Sequence, residues 1–218
     1  MDLPDTLAGK LYLLACDPET QRLVSRTDLD LLLRAAALTD LQLRGLLQDV
    51  DGKPSATGRA PQDLNPVLAD LLSRIAETGP HSWGWWIRLH GRGNSPDRPA
   101  HPVRSVQDDL AKRGWIRVEE HRVLGLFNRS QITERDPRVR KALAATASTT
   151  LRGPVSQVEP ADAALVALAD AGQLRTVVTR SQRSEFRDRL AVLTEQTGPV
   201  PPALRNAVHS RNAARAGT

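Results

Sequence analysis

The chain has 218 residues, of which 40% are hydrophobic, so it is long enough to bury one sizeable core. Its net charge of +5 favours acidic partners: nucleic acid, anionic lipid or an acidic protein. The single cysteine, Cys16, excludes an internal disulfide and a multi-cysteine zinc site. No apolar run approaches the ~20 residues that a membrane-spanning helix needs, so any contact with a membrane is expected at its surface.

The charge is distributed unevenly along the chain. Residues 1–51 carry a net charge of −4, whereas residues 129–152 and 176–218 carry +4 each. An electrostatic docking surface is therefore expected in the second half. Residues 1–5 include no basic side chain ahead of an apolar stretch, which predicts that the chain has no signal peptide and resides in the cytoplasm.

Helical patterns dominate the first half. The apolar run from Leu11 to Cys16 is compatible with a helix or a buried strand, because it is too short for periodicity to distinguish the two. The clearest helix spans residues 29–47, where leucine and alanine recur at helical spacing and Arg34 interrupts the apolar face. The remaining predicted elements of this half are a polar loop over 51–63 and helices over 66–77 and 82–90.

The second half continues this pattern and adds one hairpin. Two mainly apolar segments, residues 115–118 and 123–127, flank a polar segment at 119–122, which predicts a β-hairpin with its turn there. The other predicted elements are a Gly/Pro loop over 91–102, helices over 103–113, 137–149, 160–172 and 181–196, and a loose tail from 199. The expected fold is mainly α: a single-domain helical bundle over 1–198 with a small β-hairpin, followed by a flexible C-terminal tail over 199–218.

No motif in the sequence favours an enzyme. A zinc-protease HExxH, a GxSxG elbow and a glycine-rich phosphate loop are all absent from the sequence, and the five histidines lack the spacing of metal ligands. The adjacent pairs Asp108-Asp109 and Glu119-Glu120 do not converge from one helix or strand face. We therefore predict a non-enzymatic protein without metal or cofactor.

Two features have functional interest. A helix followed by a hairpin resembles a winged helix, but Asp108 and Asp109 would repel the phosphates of a DNA groove, so nucleic acid is a disfavoured partner. Arg34 lies inside the most apolar helix and Arg104 in the first turn of another, where a guanidinium and helix N–H groups together can bind phosphate. The alternative for Arg34 is an ion pair with Asp30 or Asp40, or a side chain that extends past the leucines to water.

Several segments together resemble the Golgi phosphoprotein 3 family. The opening Leu11-Tyr12-Leu13-Leu14-Ala15-Cys16-Asp17, the helix over 33–47 with its Leu43-Arg44-Gly45 ending, and Trp86-Ile87 match in order and spacing. Similar stretches are Asn65-Pro66-Val67-Leu68, Val103-Arg104-Ser105-Val106, Leu110-Ala111-Lys112-Arg113-Gly114 and the helix over 162–171. The resemblance covers about residues 3–195.

This resemblance implies a mainly helical domain that binds phosphatidylinositol 4-phosphate and recruits the cytoplasmic tails of glycosyltransferases. One tryptophan and three arginines form the headgroup site in that family. Carried over, these positions are Arg34, Arg104, Gln107 and, for the tryptophan, Ser25, so one arginine and the indole are missing here. The family's projecting self-association hairpin corresponds to the hairpin that contains Trp115, Val118, Val123, Leu124 and Leu126.

The resulting expectation is a cytoplasmic peripheral membrane protein. It would bind an anionic phospholipid or phosphoinositide headgroup and act as a non-enzymatic adaptor for a membrane-protein client, with homo-oligomerisation through the hairpin. The alternatives are a winged-helix-like nucleic-acid-binding protein and a protein-interaction scaffold that does not bind lipid.

Overall fold

Helices form most of the fold in this computed structural model, which describes residues 2–17, 19–20, 22–23, 28–89, 101–123 and 127–217, with the backbone alone at 120–123 and 127–130. The ten α-helices of the described residues are α1 Leu7–Leu14, α2 Leu29–Leu43, α3 Pro66–Thr78, α4 Trp83–Arg88, α5 Pro102–Lys112, α6 Pro137–Arg152, α7 Pro160–Ala171, α8 Arg180–Glu185, α9 Arg187–Thr197 and α10 Val200–Ala216. The six strands of the described residues are β1 Cys16–Asp17, β2 Arg22–Leu23, β3 Leu47–Val50, β4 Lys53–Ala56, β5 Ile116–Val123 and β6 Phe127–Glu134. These strands pair in order as three antiparallel two-stranded sheets. The prediction of a mainly α fold is confirmed.

Helix α2 is the centre of the core. It is buried from Leu29 to Leu41 except at Asp30 and contacts α1, α3, α4, α5, α7 and α10. Helix α7 is buried from Ala163 to Ala171 and lies against α2. Each fully buried leucine removes apolar surface from water and stabilises the fold by about 2 kcal/mol, so α2 is the main contributor to core stability.

Helix α10 corrects the prediction of a loose tail over 199–218. It begins at Val200 and buries Leu204 and Val208 in the core. Pro201 and Pro202 lie in the first turn of this helix. The N–H groups of a first turn have no acceptor within the helix, so proline loses no hydrogen bond there. Residues 200–216 are therefore part of the folded structure.

The hairpin of β5 and β6 is longer than predicted. Arg122 pairs with Asn128 and Val123 with Phe127, so the strands continue through residues 119–122, where we had placed the turn. Val118 pairs with Ile132, which the sequence pattern had left outside the hairpin. A two-stranded ribbon does not require alternating apolar side chains, so the polar residues 119–122 can form strand as well as turn.

Two smaller differences concern the bounds of individual elements. The predicted loop over 51–63 begins with the turn of the β3–β4 hairpin, which is formed by Asp51 (φ 52°) and Gly52 (φ 74°). Strand β4 follows directly. The Asp51-Gly52 pair is a known sequence signal for such a turn. The helix predicted over 181–196 is divided at Phe186 into α8 and α9. The run from Leu11 to Leu14 is helical, and the predicted loop over 91–102 lies outside the described residues up to position 100.

Candidate functional site

A cavity of about 450 Å³ opens between α2, α3 and α5. Helical periodicity explains its α5 wall, because positions 102, 105, 106, 109 and 112 share one face of that helix. Its lining residues are Leu33, Arg34, Ala37, Pro66, Val67, Asp70, Leu71, Arg74, Pro102, Ser105, Val106, Asp108, Asp109 and Lys112. A cavity of this size, lined by both apolar and charged side chains, can hold a small ligand or a headgroup.

Arg34 is the unusual residue of this cavity. Its side chain lies on the buried face of α2 with only 6% of the residue exposed. It forms no hydrogen bond or ion pair with any residue that the structure describes. Burial lowers the pKa of its guanidinium, and the charges of Asp30 and Asp70 partly oppose that change. A guanidinium nevertheless stays protonated, so the cavity wall contains a nearly buried positive charge.

Neither aspartate that we predicted as an ion-pair partner of Arg34 fills that role. Both Asp30 carboxylate oxygens accept hydrogen bonds from Arg211, at 2.6 and 2.9 Å. Asp40 accepts the backbone N–H of Leu7 at 2.5 Å and lies 3.7 Å from the Arg44 guanidinium. The ion-pair explanation of Arg34 is therefore wrong at both predicted positions.

The other charges of the cavity are largely paired. Asp70 accepts a hydrogen bond from Arg74 at 2.9 Å. Asp109 accepts one from Asn65 at 3.0 Å and another from Arg113 at 3.1 Å. Asp70 and Asp109 therefore have other partners, although the charge of Asp70 still acts on Arg34. The sequence pattern missed Arg74 and Lys112, since only the packing of α3 and α5 against α2 brings them to one cavity.

Arg104 lies beside the cavity rather than in its wall. Arg104, Asp108 and Lys112 are exposed and follow one another at intervals of four residues, so they form a single stripe along α5. Asp108 and Lys112 line the cavity, and Arg104 is one turn further towards the start of the helix. Its side chain has no hydrogen bond or ion pair among the described residues. The stripe also contains the carboxylate of Asp108, which would repel the phosphates of a DNA groove.

The remaining predicted positions are placed elsewhere. Gln107 is half-buried away from the cavity wall and accepts a hydrogen bond from the Tyr12 hydroxyl at 3.1 Å. Ser25 lies outside the described residues. Of the four positions implied by the resemblance, the structure thus puts Arg34 in the cavity, Arg104 at its edge and Gln107 against α1.

The hairpin positions are also only partly described. Trp115 and Val118 are half-buried against the core, next to the buried Ile116. The backbone of Val123 pairs with that of Phe127 at the end of the hairpin. Leu124 and Leu126 lie outside the described residues. The prediction of self-association through this hairpin stays a prediction.

Other chemistry is sparse in the described part of the chain. It contains no cluster of three or more His, Cys, Asp or Glu side chains that could hold a metal ion. Burial raises the pKa of the Cys16 thiol to about 12, which leaves the sulfur protonated and unreactive at neutral pH. Among the described helices, none combines the length and apolar character required to cross a membrane.

The fold and the cavity together define a mainly α-helical protein with a nearly buried arginine in a cavity wall that carries three basic and three acidic side chains. The family model described as Golgi phosphoprotein 3 (GPP34) matches residues 7–211. The chain therefore belongs to the Golgi phosphoprotein 3 family, as the sequence motifs indicated. No curated protein matches the chain.

Proposed function

We propose that this protein is a peripheral membrane protein that binds an anionic phospholipid headgroup in the cavity between α2, α3 and α5. The observation that carries the proposal is Arg34, a buried guanidinium without a partner among the described residues. Burying a charge is costly unless an opposite charge compensates it, and a phosphate entering the cavity would supply that charge. A guanidinium binds phosphate through two parallel hydrogen bonds, which is the strongest contact available at such a site.

Two basic side chains of α5 support the same assignment, and the exposed carboxylate of Asp108 between them opposes it. Lys112 has no hydrogen bond or ion pair among the described residues, and Arg104 lies on the same exposed stripe of α5. Each basic side chain near an anionic membrane surface contributes ~1 kcal/mol to binding, so both strengthen docking without contacting the buried phosphate. Arg34 would select the headgroup, whereas Arg104 and Lys112 would attract the surface.

Membership in the Golgi phosphoprotein 3 family favours an adaptor role, in which the docked protein holds a membrane-protein client. Oligomerisation through the hairpin of β5 and β6 belongs to the same proposal. Replacing residues 119–131 by a short Gly-Ser linker, which keeps Val118 opposite its partner Ile132, should then lower the oligomeric state measured by light scattering. An unchanged oligomeric state would reject the hairpin as the contact.

Co-sedimentation with liposomes tests the headgroup site. Vesicles of phosphatidylcholine alone, with phosphatidylserine, and with phosphatidylinositol 4-phosphate are mixed with the native protein, Arg34→Gln and Arg104→Gln. If the native protein binds one of the two anionic vesicles more tightly than the other, we expect Arg34→Gln to bind both equally, because the variant lacks the guanidinium that would contact the headgroup. Arg104→Gln should weaken binding to both anionic vesicles by about fivefold, because it removes one charge near the surface.

A matched control is Arg59→Gln, which removes an exposed charge that lies outside the cavity wall. Binding by this variant should equal that of the native protein. The proposal is rejected if the native protein binds none of the vesicles, or if Arg34→Gln and Arg59→Gln bind alike.

A further inference from the structure

A second cavity, of about 730 Å³, lies where α8 and α9 meet the end of α7 and the start of α10. It shares no lining residue with the cavity of Arg34. Its wall includes four arginines, Arg180, Arg183, Arg187 and Arg205, and two carboxylates, Asp170 and Glu195. The second cavity therefore carries two more positive than negative charges, before His209 at its edge is considered.

Asp170 holds two of these arginines in place. The carboxylate is 7% exposed and accepts hydrogen bonds from Arg183 Nε at 2.5 Å and from Arg205 Nη2 at 3.3 Å. Arg183 also donates to the Asp170 backbone carbonyl at 2.8 Å. One carboxylate cannot neutralise two guanidinium groups, so Asp170 orients them and leaves a surplus positive charge.

Many donors of the cluster stay available. Each guanidinium has five N–H groups, and the contacts to Asp170 use two of those on Arg183 and one on Arg205. Arg180 and Arg187 form no hydrogen bond or ion pair with the described residues. Arg180 and Arg183 share one face of α8, and Arg187 is the first residue of α9 after the break at Phe186. All three line the second cavity.

The wall also contains a hydroxyl group without a partner. The Thr194 Oγ1 atom is buried and has no hydrogen bond to any described group. Because this oxygen has almost no accessible surface, the arginines rather than Thr194 support a bound ligand. Leu190, Ala191 and Pro202 add an apolar surface beside the arginines.

We propose that this second cavity binds a phosphomonoester, with its dianionic phosphate on the arginine cluster and its organic part on the apolar wall. The surplus of two positive charges matches a dianion better than a carboxylate, and phosphate oxygens match the fork of a guanidinium. The volume lies in the range of small-molecule sites and exceeds what a phosphate alone requires. The phosphate belongs either to a soluble metabolite or to a lipid headgroup.

Isothermal titration calorimetry at low ionic strength tests the proposal with two probes that share one apolar body, phenyl phosphate and benzoate. We expect phenyl phosphate to bind the native protein at low-millimolar concentration or tighter and benzoate to bind much more weakly. Arg180→Gln/Arg187→Gln should weaken the binding of phenyl phosphate by about tenfold or more, because two charge-assisted hydrogen bonds are lost.

The matched control is Arg59→Gln/Lys141→Gln, which removes two exposed charges outside both cavities. It should bind phenyl phosphate as the native protein does, and thermal melts of all variants establish that each is folded. The proposal is overturned if phenyl phosphate does not bind, if benzoate binds equally well, or if the control loses as much affinity as Arg180→Gln/Arg187→Gln.

Vesicles of phosphatidylcholine with phosphatidic acid distinguish the two sources of phosphate. Vesicle binding that Arg180→Gln/Arg187→Gln reduces and the control does not would assign a lipid phosphate to the second cavity. Phenyl phosphate binding without such vesicle binding would assign a soluble phosphomonoester. Because the two cavities share no lining residue, failure here leaves the headgroup site of Arg34 untouched.

Discussion

The backbone N–H of Leu7, the first residue of α1, donates a hydrogen bond of 2.5 Å to the carboxylate of Asp40 near the end of α2. The two residues are 33 positions apart in sequence, so this contact joins two core helices. Asp40 is 6% exposed, and burial raises its pKa to about 6, although the Leu7 N–H and the charge of Arg44 favour the ionised form. The carboxylate therefore costs free energy when it is charged.

The first prediction concerns the pH dependence of stability through Asp40. Its pKa in the folded protein, about 6, exceeds the ordinary value of ~3.9, so the folded state binds the proton more readily as pH falls below 6. Relative to Asp40→Asn, the native protein should gain about 1 kcal/mol of unfolding free energy between pH 7.5 and pH 5. Urea denaturation at the two pH values measures this gain.

Asp63→Asn is the control, because it removes an exposed carboxylate from a loop. Its stability should follow that of the native protein at both pH values. A difference between the native protein and Asp40→Asn that stays constant with pH would contradict the assigned role of Asp40.

The second prediction separates two explanations of Arg34. Replacing it by Met removes an unpaired buried charge while preserving apolar volume, so the free energy of unfolding should rise by about 1 kcal/mol in the absence of ligand. If Arg34 were a buried ion-pair partner, as the lipid-independent scaffold requires, the same change should cost about 3–5 kcal/mol. Thermal and urea denaturation of Arg34→Met decides between the two results.

The third prediction concerns α10. Removing residues 199–218 exposes the core surfaces that Val200, Leu204 and Val208 cover, at about 2 kcal/mol for each side chain. The total approaches the whole stability of an ordinary domain, so we expect loss of the cooperative thermal transition. Arg211, whose guanidinium binds Asp30 in the first turn of α2, is lost in the same truncation.

The matched truncation removes residues 213–218, whose described positions are exposed, and leaves Arg211 in place. It should melt within a few degrees of the full chain, since it removes little apolar contact. Equal melting of the long truncation and the full chain would show that α10 does not stabilise the core.

The fourth prediction concerns the close approach of Gly172 to α2. A Cβ atom at this position would lie 2.9 Å from Leu32 Cδ1 and 3.1 Å from the Leu168 carbonyl oxygen. Gly172→Ala should therefore lower the free energy of unfolding by about 1–3 kcal/mol through overpacking. Gly58→Ala is the control, because a Cβ there has nothing within 4 Å, and its stability should be unchanged or slightly higher. Urea denaturation compares the two variants, and equal stability would contradict the tight contact.

Local patterns predicted much of the helical structure because helix periodicity and capping are properties of neighbouring residues. Asn65 before Pro66 is an example: the Asn65 side chain accepts the Val67 N–H and begins α3 where the sequence indicated. The same local reasoning failed at 199–202, where three prolines resembled a loose tail. A segment that begins with prolines forms a stable helix when the residues after them pack one face against a core. That core is formed by residues distant in sequence, so the local pattern does not reveal it.

The sequence by itself determined the mainly helical class, the family and the presence of an arginine within the most apolar helix, since each depends on residue order alone. Only the tertiary structure decided what surrounds that arginine. Asp30 accepts hydrogen bonds from Arg211, 181 residues away, and Arg34 lines the cavity. It likewise decided that Asp170 gathers Arg183 and Arg205 from different helices. Charge pairing depends on distances of a few ångströms, which packing sets and a pattern along the chain does not encode.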